Sequence, residues 1–235
     1  MNKSASANTL TSHRAMRPAP DSPSPRNAWA TAVVSRAQDV VYFSGDYSAV
    51  FKSLFAGVTP GGVNEEIILM RNATLSHVEP PAADRLRLQF PTMTDRSWIR
   101  PPRDPSDVSD FVANVTSFTQ DPREFLSFEA HAVDSVAEHG AEPVNGTPMH
   151  HYAVSLDEQK WSDAITAQYP EPEQGSEYSI AAAMPIELNV WVGDDGYIGR
   201  TSGGSEHDVI TDDFTGHGES VSIPMPKAGD IVNAR

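Results

Sequence analysis

Residues 136–157 read VAEHGAEPVNGTPMHHYAVSLD, and the Asn145-Gly146 pair inside that stretch is a strong turn signal. A two-residue hairpin turn of type I′ needs positive φ at both central positions, which asparagine tolerates and glycine adopts without steric cost. Residues 133–139 and 142–144 are therefore expected to lead into the turn, with 147–156 returning as the antiparallel partner strand. Asp157 then stands where a helix should begin, with Trp161, Ile165 and Tyr169 at i, i+4 and i+8. Pro170 to Gly175 ends it.

Upstream of the hairpin the period is also helical. Asp121-Pro122 followed by Glu124 is an aspartate version of the capping box with proline in the first turn. The apolar face of that helix is Phe125, Leu126 and Phe128, with Ala132 at its end. An earlier helix is expected over 108–118, opening after Ser106 or Asp107 and carrying Val108, Phe111, Val112, Val115 and Phe118.

Both ends of the chain read as sheet. Residues 29–35 and 40–47 are rich in Val, Tyr, Phe and Thr with a break at Ala37-Gln38-Asp39, which suggests a hairpin. Further strands are expected at 50–55, 66–70, 72–78 and 97–99, with 85–90 left open. In the C-terminal half, 186–192 alternates Ile186, Leu188, Val190 and Val192 with Glu187, Asn189 and Trp191, the pattern of a strand with one buried face. Asp194-Asp195-Gly196 turns it into 197–201. Strands at 209–214 and 220–223 close the sheet, and Pro224-Met225-Pro226 carries the tail away.

About ten short strands with helices grouped in the middle, not alternating with strands, define an α+β fold: an antiparallel sheet with helices packed on one face. Residues 1–26, rich in Ser, Ala, Asn, Pro and Arg, read as a disordered lead, and 27–235 as a single domain.

Composition removes several classes of function. With 32 acidic and 17 basic residues the net charge is −15, and no basic cluster opposes it. Nucleic acid and anionic membrane surfaces are therefore disfavoured as partners. The absence of cysteine excludes disulfides, thiolate metal sites, a cysteine nucleophile and a lipid-acceptor thiol in this chain. No apolar run reaches the ~18–20 residues that span a bilayer, and residues 1–25 lack the apolar core of a signal peptide.

Two segments together resemble a known pattern. A helix opened by Asp121-Pro122, the hairpin quoted above and the helix after it are followed by PIELNVWVGDDGYIGR from Pro185, then by DDFTGHGESVSI, and by a tail of the form P-x-P-x-x-x-D-I-V. This is similar to the LolA-like lipoproteins of actinobacteria, the group that includes LppX and LprG. The resemblance covers the C-terminal half well and 29–100 only in strand order. It implies a strongly curved antiparallel β half-barrel, helices on its concave face, and an apolar cavity for acyl chains between the layers. It also implies an exported protein of the cell envelope that carries or senses lipids without catalysis. The chain departs from the group in having no acceptor cysteine and no signal peptide in residues 1–25.

Phe111, Val115, Phe118, Phe125, Leu126 and Phe128 are the candidate cavity-lining residues; packing in a filled core is the competing reading, and periodicity treats the two alike. Five of the nine phenylalanines (Phe111, Phe118, Phe125, Phe128 and, on the facing sheet, Phe214) gather there, more than one narrow helical stripe needs. No catalytic residue stands out. Gly203-Gly204-Ser205 lacks the second glycine of a nucleophile elbow, and no glycine pair precedes a helix in a phosphate-cradling pattern. His207-Asp208, Asp212-Asp213 and His217-x-Glu219 offer metal-ligand types, yet neighbours on a strand point to opposite faces, so a solvated acidic edge is the favoured reading. In His150-His151 one ring is expected to be buried and hydrogen-bonded.

The expected function is accordingly a non-enzymatic, monomeric carrier of a lipid or other apolar small molecule, with no metal and no cofactor. The alternative is an envelope sensor or assembly factor acting on a membrane-associated partner protein.

Overall fold

The structure, a computed structural model, describes residues 3–4, 6–18, 28–46, 64–70, 73–78, 98–100, 122–168, 187–204 and 208–233. The expected strand at 50–55, the stretch 85–90 left open by the sequence and the expected helix at 108–118 lie outside these residues.

In chain order the strands are β1 (Thr9–Pro18), β2 (Ala28–Ser35), β3 (Val40–Asp46), β4 (Asn64–Met70), β5 (Ala73–Val78), β6 (Trp98–Arg100), β7 (Val133–Val144), β8 (Thr147–Leu156), β9 (Glu187–Val192), β10 (Ile198–Gly204), β11 (Asp208–Thr215) and β12 (Ile231–Asn233). Among the described residues the α-helices are α1 (Pro122–Ala132) and α2 (Glu158–Gln168). All twelve strands form one open sheet in the order β12-β6-β5-β4-β3-β2-β1-β11-β10-β9-β8-β7. The pairs are antiparallel except β12 with β6, which is parallel.

The β7–β8 hairpin forms as its sequence dictates. Asn145 and Gly146 take φ of 49° and 82°, and Val144 pairs with Thr147 across the two-residue turn. The expected segments 133–139 and 142–144 are one strand with a bulge in it: the register shifts between Glu138 and Gly140, where Gly140 takes φ 93°. At the far end of the hairpin Asp157 caps α2, its Oδ1 accepting from the Lys160 N–H at 2.8 Å. Helix α2 then sets Trp161, fully buried, edge-on to Phe128 of α1 with ring centroids 6.3 Å apart.

Three expectations are corrected. Residues 9–18, expected to belong to a disordered lead, form a strand instead: β1 lies inside the sheet, hydrogen-bonded to β2 along one side and β11 along the other. Its composition averages as polar, but its backbone groups are satisfied on both sides and Arg14 has a partner far along the chain. Second, 220–223 is not a strand. Ile223 is buried against Val40, Ile68 and Leu75 and is held by the side chain of Gln38. Third, the tail does not leave after Pro226 but returns to the sheet as β12.

Register assigns the two faces, because residues opposite one another on paired strands share a face. One face carries Leu10, Val34 and Val41 in one row and Ser12, Ala32, Phe43, Ile67, Ser76 and Ile99 in the next, all buried. Across β11 the same face continues through Phe214, Asp212 and Thr201. The opposite face, with Val33, Tyr42, Ile68 and Leu75, is covered by Ile223 and Ile231 of the tail.

Candidate functional site

Helix α1 is linked to the first of these faces through Glu129, which interacts electrostatically with Asp212 and Arg14. Leu126 (1% exposed) and Phe128 (4% exposed) are both buried, and Phe128 packs with Ala132, Trp161, Leu156 and Ala164. Of the six expected cavity residues, these two are placed as apolar contacts under the helices. Phe111, Val115 and Phe118 lie outside the described residues, as does the side chain of Phe125. Phe214, on the facing sheet, is buried opposite Ser12.

A polar group that sequence reading passed over lies on the same face. Arg14 of β1 and Asp212 of β11 are directly paired in the sheet register. The Arg14 Nε donates to Asp212 Oδ1 at 2.9 Å and its Nη2 donates to Oδ2 at 2.9 Å, a bidentate pair. Ser12 Oγ adds a bond to Oδ1 at 3.3 Å. From above, α1 contributes Glu129, which is 5% exposed. Burial, then the Asp212 charge, push the Glu129 carboxyl up to about 8, although Arg14 pulls it the other way. Glu129 was legible in principle: it lies three residues from both Leu126 and Ala132, on the buried stripe of α1. Arg14 was not, because its segment read as disordered.

The acidic run on β11 is therefore not a solvated edge. The strand is interior, Asp212 is buried, and Asp213 on the other face holds Arg200 through bonds of 2.6 and 3.0 Å. His217 stacks on Tyr197 with centroids 4.4 Å apart, and burial holds its imidazole below the usual value. His207 lies outside the described residues. Among the described residues no group of three or more His, Asp or Glu side chains is placed to hold a metal ion.

His150 and His151 divide between faces. His151 is the more buried; its Nδ1 lies 3.0 Å from Glu142 Oε1, its Nε2 lies 2.9 Å from Asn189 Oδ1, and its ring stacks on Trp191 at 4.5 Å. His150 is exposed beside Glu138. The Trp191 and His151 bonds hold the Glu142 carboxyl below its ordinary range. This is a hydrogen-bonded corner of the sheet on the side away from α1.

No family model matches the sequence, and none of the curated proteins matches it. Solved structures do. The chain is similar to LprF from Mycobacterium bovis, with a TM-score of 0.53 at 11% identity over 95% of this chain and 91% of that one. It is also similar to the lipoprotein LppX of Mycobacterium tuberculosis, with a TM-score of 0.49 at 13% identity over 94% of this chain and 92% of that one. The fold, a sheet-dominated chain with a mostly antiparallel sheet and two described α-helices, is thus shared with LprF. No described helix is long and apolar enough to cross a membrane.

Proposed function

We propose that the chain is a non-enzymatic binding protein that holds a lipid or other apolar small molecule between the helices and a sheet curved around them, as one monomeric domain of the cell envelope. The observation that carries this reading is the composition of the α1-facing side of the sheet. Leu10, Val34, Val41, Phe43, Ile67 and Phe214 line it from neighbouring strands. Such a lining binds acyl chains without chemistry, at ~0.8 kcal/mol for each buried methylene. The fold shared with LprF and the resemblance to LolA-like lipoproteins support the same reading.

The test is titration with an uncharged, environment-sensitive probe such as N-phenyl-1-naphthylamine, followed by displacement with long-chain lipid. Saturable, one-to-one binding is expected, and Phe118→Asp or Phe125→Asp should abolish it by placing an unpartnered carboxylate in the apolar lining. A folded wild-type protein with no saturable binding defeats the carrier reading, and action through protein contacts takes its place.

A further inference from the structure

The polar group on the apolar face calls for an explanation beyond stability. Arg14 and Asp212 form an ion pair whose carboxylate is only 4% exposed, and Glu129 is buried above it. Exchanging a buried ion pair for well-packed apolar residues is often neutral or stabilising. A binding face built mostly of Leu, Val, Ile, Phe and Ala gains something different from a few placed polar atoms: they fix how a ligand lies. We infer that Ser12, Arg14, Asp212 and Glu129 form a polar subsite within the apolar face, and that it takes the hydroxyl or ester oxygen of an uncharged amphiphile in preference to a carboxylate head. This rests on the reading of that face as the apolar-ligand site.

The preference follows from counting charges. Arg14 is balanced by Asp212, to which its Nε and Nη2 already donate. Glu129, with its carboxyl near 8, is mostly the neutral acid at pH 7 and offers one O–H donor beside an acceptor oxygen. The group as a whole is therefore close to neutral. A ligand carboxylate would bring another anion next to buried Asp212, where repulsion is little screened. A hydroxyl or an ester carbonyl can exchange hydrogen bonds with Glu129 and adds no charge.

The experiment is displacement of N-phenyl-1-naphthylamine at pH 7 by monoolein, sodium oleate and octadecane, each delivered from cyclodextrin. Monoolein is expected to displace the probe at a concentration lower than oleate or octadecane by roughly tenfold, the worth of one good polar contact. Glu129→Leu should bring the three ligands to parity. Glu129→Gln keeps a neutral donor and acceptor in the same place, so it should keep the preference for monoolein, and it covers the case in which the leucine variant fails to fold. Equal displacement by all three ligands in the wild type, or a preference that survives in folded Glu129→Leu, overturns the subsite while leaving the apolar site standing. A probe that does not bind wild type at all overturns the apolar site, and the subsite with it.

Discussion

Gln38 and Ile223, 185 residues apart, are joined as two strand residues would be: the Ile223 N–H donates to Gln38 Oε1 at 2.9 Å, and Gln38 Nε2 donates to the Ile223 carbonyl at 3.1 Å. A side-chain amide presents the same donor and acceptor as a peptide unit. It serves here where a ladder could not continue, because Pro224 and Pro226 lack N–H groups.

Gln38→Ala is accordingly expected to cost about 1–3 kcal/mol, the penalty for leaving buried backbone groups without partners. Denaturant midpoints measure the loss, and hydrogen exchange localises it: the Ile223 amide should lose protection while β2 and β3 keep theirs. An Ile223 amide as protected as before would mean that β12 and the apolar contacts of Ile223 hold the tail unaided.

Gly146→Val isolates a backbone effect. A Cβ at Gly146 would meet nothing within 4 Å, so the side chain has room, yet φ of 82° is a conformation a β-branched residue strongly resists. The expected destabilisation is more than ~1 kcal/mol. A midpoint within error of wild type removes the strain argument for this turn.

What was legible in the sequence was what local pattern controls. The Asn145-Gly146 turn, the Asp157 cap and the alternation through β9 each depend on residues within a few positions of one another. What was lost depends on distant partners. Arg14 looks like a stray charge in a polar lead until Asp212, 198 residues away, is placed beside it. Ile223 looks like a strand residue because its apolar character is real, while the absence of a ladder follows from the prolines after it. On the candidate site, periodicity found Leu126 and Phe128 but passed over Glu129, since a charged residue on an apolar stripe reads as an exception until the group opposite it is known.

Deleting residues 1–26 tests the largest correction. A disordered lead would be dispensable, but removal of β1 splits the sheet between β2 and β11 and strips Asp212 of its cation. A chain beginning at Asn27 should fail to show a cooperative thermal transition. A milder version, Arg14→Met, leaves buried Asp212 uncompensated and is expected to cost ~3–5 kcal/mol, part of which Arg14→Met with Asp212→Leu should restore. A truncated chain that melts with the wild-type midpoint would show that β1 contributes nothing to the folded state.

Glu129 should make the protein less stable as pH rises. Its carboxyl has an ordinary value of 4.5 in the unfolded chain and about 8 in the folded one, raised first by burial and then by Asp212. Below 4.5 both states hold the proton and this group adds no pH dependence. Between 4.5 and 8 the unfolded chain releases the proton while the folded chain retains it, so the unfolded state gains and stability falls. Above 8 both are ionised and the loss is complete, on the order of a few kcal/mol. Glu129→Gln cannot ionise, so its stability should lose this slope, and the variant should exceed wild type by the largest margin near pH 8. Urea midpoints at pH 5, 6.5 and 8 compare the two. Identical profiles would mean that Glu129 is ionised in the folded protein, with Arg14 shared between two carboxylates rather than committed to Asp212.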